Sequence, residues 1–260
     1  MYLFGDYVRW KKIGDILVVD DKFKDCSKED LLILAEKHNV KSIVSVSKID
    51  GQMREPSLDI LYGVETETVH KENKCLFNLD LSKVMWSKGN NNERLRIAKL
   101  VGKDETVLDM FAGIGYFSIP IAVHSQAKKI YSIEINPNSY HFLKKNIELN
   151  KINKKANYER LVPILGDCSV EALNYTADRV LMGYVKTTHH FLKPAIHALN
   201  PGGILHYHET VPEKLIETRP YERVKKVAKE FDRDVEVLNI QYIKKYSPGV
   251  AHIVLDAKIH

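Results

Sequence analysis

The stretch Thr106–Pro120, with the sequence TVLDMFAGIGYFSIP, predicts a buried strand, a glycine turn and the start of a helix. An apolar run leads into Asp109, and a second apolar run begins after Gly115. Gly113 and Gly115 let the backbone bend tightly and let a ligand lie against it, because glycine has no Cβ. The stretch therefore predicts a binding loop between a strand and a helix.

A second strand is expected at Ile130–Ile135, and it carries Glu134 near its end. An acidic side chain at this place is suited to hold the hydroxyls of a nucleoside ribose. The succession of strand, glycine turn, helix, strand and acid is a stronger signal than a glycine pair alone. A NAD-binding Rossmann domain is the nearest alternative, but no third glycine completes the pattern that follows Gly113 and Gly115.

The rest of the C-terminal part continues the alternation of strands and helices. Its last two strands are separated by Ser247-Pro248-Gly249, which predicts a hairpin. We therefore predict an α/β fold with a doubly wound sheet that ends in an antiparallel hairpin. Further strands are expected at Leu161–Leu165, Asp178–Met182, Ile204–His208, Val235–Tyr242 and Ala251–Lys258, and helices at Glu93–Val101 (Leu95 and Ala98 inward), Pro137–Asn150, Thr188–Leu199 and Glu222–Phe231.

Residues 1–86 lack this regular alternation and predict a small α+β module, a separate domain from residues 87–260. Ser27 and Asp30 form a capping signal at the start of a helix that reaches His38. The other elements expected in the module are strands at Ile13–Val19 (with a turn at Gly14-Asp15) and Ser42–Val46, a loop at Gly51–Pro56, and a hairpin of Tyr62–Val69 with Cys75–Asp80 about Lys71-Glu72-Asn73.

Composition limits the class of protein. The 260 residues include 39 Lys and Arg against 34 Asp and Glu, a formal net charge of +5, which is compatible with a polyanionic partner. The three cysteines are far apart and form no CxxC pair, which favours reduced thiols and a cytoplasmic protein. No apolar run approaches the ~20 residues that span a bilayer, so we expect no membrane association.

The order of elements resembles the class I S-adenosylmethionine-dependent methyltransferase fold, which is Rossmann-like. The resemblance rests on the glycine loop, Glu134, Gly166-Asp167-Cys168 and the final hairpin. It implies that Glu134 accepts hydrogen bonds from the ribose hydroxyls and that Asp167 accepts one from the adenine amino group. It also implies that the turn Phe111–Gly113 lies beneath the methionine part of S-adenosylmethionine. The implied cofactor-binding residues in this region are Asp109, Phe111, Ala112, Gly113, Glu134, Ile135, Asp167 and Cys168.

Two further segments narrow the resemblance. Asp80–Ser87 (DLSKVMWS) and Asn92–Arg96 (NERLR) resemble the archaeal and eukaryotic tRNA guanine-N1-methyltransferases that act beside the anticodon, and equally their wybutosine-synthesis paralogues. The methyltransferases carry Asn-Leu-Pro or Asn-Pro-Pro after the fourth strand, where this chain has Met182–Val185 (MGYV). The chain is therefore most similar to the archaeal tRNA wybutosine-synthesising aminocarboxypropyltransferases.

That resemblance implies transfer of the 3-amino-3-carboxypropyl group of S-adenosylmethionine to carbon 7 of 4-demethylwyosine in phenylalanine tRNA, with release of 5′-methylthioadenosine. Ser87 and Arg94 are our candidates to hold the tail of S-adenosylmethionine, because an arginine fork suits a carboxylate. Without the resemblance, a loop serine and a charge at the start of a helix would explain both residues equally well. We expect tRNA as the partner and no obligatory protein partner.

The acceptor side is less defined by sequence. Tyr184, His189 and His190 lie where the acceptor base is expected, and Tyr116 and Tyr184 could stack on it, although packing explains them as well. The pair His206 and His208 lacks a third ligand at suitable spacing, so we expect no metal. No general base is identified. Methylation of a tRNA purine and a non-catalytic tRNA-binding module remain as alternative functions.

Overall fold

The structure is a computed structural model that describes residues 10–51, 55–86, 90–185 and 187–260. The chain divides into two compact units, Met1–Ser87 and Lys88–His260. No helix in these described ranges is long and apolar enough to cross a membrane.

A four-stranded sheet forms the centre of the N-terminal unit. Its strands are β1 (Trp10–Ile13), β2 (Ile16–Val19), β3 (Ser42–Asp50) and β4 (Glu55–Tyr62), in that order across the sheet. Helix α1 (Lys28–His38) connects β2 to the parallel strand β3, while the other neighbouring strands are antiparallel. The buried face of α1 shares one apolar core with these strands, formed by Leu17, Val19, Phe23, Leu31, Leu34, Ala35 and Ile43.

The predicted helix of this unit is confirmed, because Ser27 caps α1 by accepting a hydrogen bond from the backbone N–H of Asp30 at 3.1 Å. The predicted strand Ile13–Val19 is instead two antiparallel strands, β1 and β2, joined through its Gly14-Asp15 turn. Of the predicted loop Gly51–Pro56, residues 52–54 lie outside the described part, and Pro56 belongs to β4.

A separate hairpin consists of β5 (Glu67–Glu72) and β6 (Cys75–Asp80). The prediction that its first strand begins at Tyr62 is wrong, because Tyr62 ends β4. Gly63 follows with a φ of +75°, and a Cβ there would lie 2.2 Å from the carbonyl oxygen of Lys41. The hairpin turns at Asn73 and Lys74, both with positive φ, as a two-residue turn requires.

Seven strands form the sheet of the C-terminal unit. They are β7 (Thr106–Asp109), β8 (Lys129–Glu134), β9 (Leu161–Leu165), β10 (Ala177–Met182), β11 (Leu199–Pro212), β12 (Val235–Ser247) and β13 (Val250–Ile259). Their order across the sheet is β12-β13-β11-β10-β7-β8-β9. Strands β7 to β11 are parallel, while β13 is antiparallel to both of its neighbours. The predicted doubly wound sheet with a terminal antiparallel hairpin is confirmed.

The helices of this unit are α2 (Asn91–Leu100), α3 (Ser118–His124), α4 (Pro137–Leu149), α5 (Ile152–Ala156), α6 (Cys168–Glu171), α7 (Leu192–Ala198) and α8 (Arg219–Lys229). Asn136 caps α4 by accepting from the N–H of Asn138, with Pro137 in the first turn, as the sequence predicts. The helix predicted at Thr188–Leu199 is instead a 3-10 turn, Thr188–Phe191, followed by α7. Pro194 sits in the first turn of α7, where a missing N–H costs no hydrogen bond.

The inward face of α2 differs from the prediction. Leu95 is only half-buried, whereas Glu93, Arg94, Ile97 and Ala98 are buried. Glu93 is buried together with an ionic partner. The guanidinium of Arg96 contacts Glu93 at 2.7 Å within the helix, and it also contacts Asp256 of β13 at 2.6 Å.

Candidate active site

The glycine loop leaves β7 after Asp109 and is held between the two neighbouring strands. The N–H of Met110 donates to the carbonyl of Leu181, and the N–H of Ala112 donates to the carbonyl of Ile133. Gly113 has a φ of +58°, and a Cβ at this position would lie 2.5 Å from the ring of Tyr116. Gly113 therefore packs directly against the Tyr116 ring, with no room for a side chain.

Glu134 ends β8 and lies against this loop. One carboxylate oxygen accepts the N–H of Gly113 at 2.7 Å, and the other accepts the N–H of Asn136 at 2.8 Å. Burial raises the pKa of Glu134, and the nearby charge of Asp109 raises it further, while the backbone N–H groups oppose that shift. The next residue, Ile135, is half-buried. The carboxylate of Glu134 is therefore fixed beside Gly113, where it suits ribose hydroxyls.

Asp109 has a supporting position behind the loop. Its side chain is fully buried, accepts from the hydroxyl of Ser118 at 2.6 Å and accepts from the N–H of Phe111 at 3.3 Å. Ser132 donates to Ser118 at 2.7 Å and extends this buried chain. Burial raises the pKa of Asp109 to about 6 despite these hydrogen bonds. Asp109 therefore stabilises the backbone of the glycine loop from behind.

The end of β9 brings a second acid next to Glu134. The N–H of Gly166 donates to the backbone carbonyl of Glu134 at 3.0 Å, which places the ends of β8 and β9 side by side. Asp167 accepts from the N–H of Ser169 at 2.8 Å and so begins α6. Cys168 is buried, and burial raises the pKa of its thiol to about 12. Cys168 therefore packs as a protonated thiol, while Asp167 lies at the strand end that the resemblance assigns to adenine.

An aromatic group follows the end of β10. The ring of Tyr184 stacks on Phe111 at 5.3 Å with 19° between the planes, and Phe191 meets Phe111 edge-on at 5.2 Å. The carbonyl of Tyr184 accepts from the hydroxyl of Thr188 at 2.7 Å. A Cβ at Gly183 would lie 2.8 Å from the ring of Phe117, so this segment is closely packed. This side of the site therefore presents the stacked rings of Phe111 and Tyr184.

Arg94 lies next to the loop through Tyr116. Its side chain is 2% exposed, and its guanidinium carbon is 4.8 Å from the centre of the Tyr116 ring, which also lies against Gly113. Arg94 and the glycine loop therefore share a neighbour. The companion candidate, Ser87, lies outside the described residues.

The histidines fall into two groups. His189 and His190 have rings 4.0 Å apart on the turn Thr188–Phe191, with His189 half-buried and His190 exposed. His206 and His208 are buried within the sheet. Among the described residues, no group of three or more His, Cys, Asp or Glu side chains is placed to hold a metal ion.

The buried histidines belong to a polar interior. His206 lies between Asp256 and Arg179, at 2.6 Å from each. His208 contacts His252 at 3.1 Å. Burial lowers the pKa of His208 well below its usual value and lowers that of His252 to about 4, so both rings are neutral near pH 7. These side chains have structural roles.

Sequence reasoning missed the ionic chain that runs through this interior. Arg96 joins Glu93 to Asp256, Asp256 contacts His206, and Arg179 beyond His206 contacts Glu105 at 2.7 Å. In the sequence, this ionic chain was indicated only by the charged residues Arg179 and Asp256 inside predicted strands.

Family models match residues in both units. Residues 68–238 match the TRM5/TYW2 methyltransferase domain, and residues 6–66 match the TYW2 N-terminal domain. A protein of Methanocaldococcus jannaschii, tRNA(Phe) (4-demethylwyosine(37)-C(7)) aminocarboxypropyltransferase, is 45% identical over 252 residues, which cover 96% of this chain and 98% of that protein. The tRNA (guanine(37)-N(1))-methyltransferase Trm5b of Pyrococcus abyssi is 37% identical over 95% of this chain and 73% of that protein. The crystal structure of M. jannaschii TYW2 in complex with AdoMet matches with a TM-score of 0.79 and 40% identity, covering 97% of this chain and 99% of that chain.

Proposed function

Because this chain belongs to the TRM5/TYW2 methyltransferase family, we propose that it transfers the 3-amino-3-carboxypropyl group of S-adenosylmethionine to carbon 7 of 4-demethylwyosine in phenylalanine tRNA. The observation that carries this proposal is the match, over nearly the whole of both chains, to a protein that is named for this reaction. We further propose that the protein acts in the cytoplasm, in line with its three separated cysteines, and that tRNA is its partner. Residues 1–86 would contribute to tRNA contact, and residues 87–260 form the catalytic domain.

The residues at the ends of β7, β8 and β9 fit S-adenosylmethionine. Gly113 has no side chain in the loop, and its N–H holds Glu134 beside the loop. In our proposal Glu134 accepts the ribose hydroxyls, Asp167 accepts the adenine amino group, and Phe111 lies beneath the methionine part. Ala112, Ile135 and Cys168 line the same region, while Asp109 keeps the loop in shape.

S-adenosylmethionine supplies a sulfonium whose three attached carbons are all open to attack. In this reaction the bond from carbon 7 to the γ-carbon of the tail forms, the γ-carbon to sulfur bond breaks with its electron pair left on sulfur, and carbon 7 loses a proton. The contribution of the protein is orientation. Arg94 and Ser87 hold the carboxylate and ammonium of the tail, so that the γ-carbon, rather than the methyl group, faces the acceptor.

The acceptor base would lie beside the segment that follows β10. The stacked pair Phe111 and Tyr184 offers a flat apolar surface to a tricyclic base. His189 and His190 lie on the next turn and are our candidates for polar contacts to that base. None of these residues is assigned as the general base.

Methylation of a tRNA purine is the second candidate, and the similarity to Trm5b favours it. Against it, Met182–Val185 (MGYV) occupies the position where the resemblance expects the Asn-Leu-Pro or Asn-Pro-Pro of those methyltransferases. A labelling experiment separates the two reactions. The protein is incubated with phenylalanine tRNA that carries 4-demethylwyosine, and with S-adenosylmethionine labelled differently in the methionine carboxyl and in the methyl group. We expect carboxyl label in the tRNA, and entry of methyl label alone would contradict the proposal.

A further inference from the structure

Part of the sheet continues beyond the ends of the other strands. The pairing of β10 with β11 ends at Met182 and Tyr207, whereas β11 stays paired with β13 as far as Pro212. Strand β12 accompanies β13 up to the pair of Ser247 with Val250. The additional length of β11, residues 208–212, is about 17 Å at roughly 3.4 Å per residue. We call residues 208–212, 241–247 and 250–254 the sheet extension.

The sheet extension projects from the edge that carries the candidate active site. Strands β10 and β11 are parallel, and β10 leads directly into Gly183 and Tyr184. Strands β11 and β12 are both antiparallel to β13, so they run in the same direction. The carboxyl ends of β10, β11 and β12 therefore point the same way, and β12 ends level with Pro212, past the last pair of β10 with β11.

The outer strand of the extension is aromatic and basic. Tyr242 and Tyr246 are 48% and 44% exposed, and Lys245 is exposed between them. Residues 237–255 include Lys244 and Lys245 but no Asp or Glu. Lysines beside exposed aromatic rings are the combination that binds single-stranded nucleic acid, because the lysines attract phosphates and the rings stack on bases.

The acid of the inner strand does not weaken this surface. Glu209 is 1% exposed, and its carboxylate contacts the guanidinium groups of Arg219 and Arg223, each at 2.7 Å. Two cations thus neutralise the one carboxylate in residues 208–212.

The edge of β12 is poorly suited to pair with a second copy of this chain. Its register with β13 shifts between Tyr242 and Lys244 and again between Lys245 and Ser247. Such bulges bend an edge strand and leave it without the regular ladder that another strand needs. Charged lysines on the edge have the same effect. RNA is therefore the occupant that the geometry and the charge favour.

We propose that the sheet extension binds single-stranded nucleotides of the tRNA that flank the modified base. Tyr242 and Tyr246 stack on bases, and Lys244 and Lys245 contact phosphates. This inference rests on the proposed function, because that function places the modified base at the same edge of the sheet.

The test compares two double variants with the wild-type protein. The first combines Tyr246→Ala with Lys245→Glu in the sheet extension. The matched control combines Tyr158→Ala with Lys155→Glu near β9, at the opposite edge of the same sheet, where both side chains are also exposed. Affinity for phenylalanine tRNA is measured by fluorescence anisotropy at several salt concentrations, and affinity for S-adenosylmethionine is measured by calorimetry.

We expect the extension variant to bind tRNA about tenfold more weakly, since loss of one stacked base has an effect of this order. Its salt dependence should also decrease, by a slope of about 0.7 for each lost phosphate contact to a single strand. The control variant should bind tRNA like the wild type, and both variants should bind S-adenosylmethionine normally.

An extension variant that binds tRNA as tightly as the wild type overturns the inference. So does a change of oligomeric state in sedimentation with unchanged tRNA affinity, because the surface would then join two copies of the chain. Wild-type protein that binds tRNA but transfers nothing contradicts the proposed function instead, and the affinity comparison still decides the role of the extension.

Discussion

Substitution of Gly113 by alanine should disturb the loop and the residues around it together. The backbone φ of +58° is left-handed, which costs alanine about 1–2 kcal/mol. The new Cβ would also lie 2.5 Å from the Tyr116 ring, and overpacking of this kind costs roughly 1–3 kcal/mol. We therefore expect the free energy of unfolding of the variant to fall by about 2–5 kcal/mol.

The same change should weaken binding of S-adenosylmethionine. The displaced Tyr116 ring contacts Arg94, and the N–H of Gly113 donates to Glu134. A loss of ~1.4 kcal/mol in binding free energy corresponds to a tenfold weaker affinity, and we expect at least this loss. Urea unfolding measures the stability of the variant, and calorimetric titration with S-adenosylmethionine measures its affinity.

Gly249→Ala provides a control for backbone strain alone. Gly249 has a φ of +69°, but a Cβ there meets no atom within 4 Å. This variant should lose about 1–2 kcal/mol of stability and bind S-adenosylmethionine normally. If Gly113→Ala binds S-adenosylmethionine like the wild type and is destabilised no more than Gly249→Ala, the loop backbone is not the binding surface.

Three further changes test other parts of the account. Arg94→Ala should reduce the rate of transfer, measured by turnover, much more than the affinity for adenosine, measured by competition. Arg94→Lys should not restore transfer, because lysine lacks the guanidinium fork. Unchanged transfer would remove Arg94 from the site. Arg96→Leu leaves Glu93 and Asp256 without their shared cation, so the free energy of unfolding, measured in urea, should fall by about 3–5 kcal/mol. A decrease below about 1 kcal/mol would show that the ionic chain contributes little to stability. Burial lowers the pKa of His252 from 6.5 to about 4 on folding, so the unfolded chain takes up this proton first and stability decreases as pH falls from 6.5 to 4. His252→Gln should flatten that part of the pH profile of thermal unfolding. A profile identical to that of the wild type would contradict the neutral buried ring.

Local signals in the sequence predicted most of the fold. The caps at Ser27 and Asn136 and the glycine loop each depend on neighbouring residues, and the structure places helices and strands accordingly. The errors arose where distant residues set the boundaries. Strand β11 continues to Pro212 because β13 remains beside it, and the predicted hairpin strand begins late because Gly63 turns the chain against Lys41.

The candidate site likewise has a part that local sequence signals predicted and a part that depends on distant residues. Gly113 and Glu134 were predicted to bind the same cofactor, and a hydrogen bond of 2.7 Å joins them in the structure. The buried support behind them was not foreseen. Arg96 and Asp256 are 160 residues apart in the chain, so only the folded sheet shows that they form an ion pair. The supporting position of Asp109 likewise depends on the burial that the tertiary structure creates.

The nucleoside released during the reaction tests the central claim most directly. Transfer of the aminocarboxypropyl group leaves 5′-methylthioadenosine, whereas transfer of the methyl group leaves S-adenosylhomocysteine. We predict that chromatography of a reaction with phenylalanine tRNA carrying 4-demethylwyosine shows 5′-methylthioadenosine in an amount equal to the tRNA modified. Release of S-adenosylhomocysteine in that amount, or of neither nucleoside, would contradict the account.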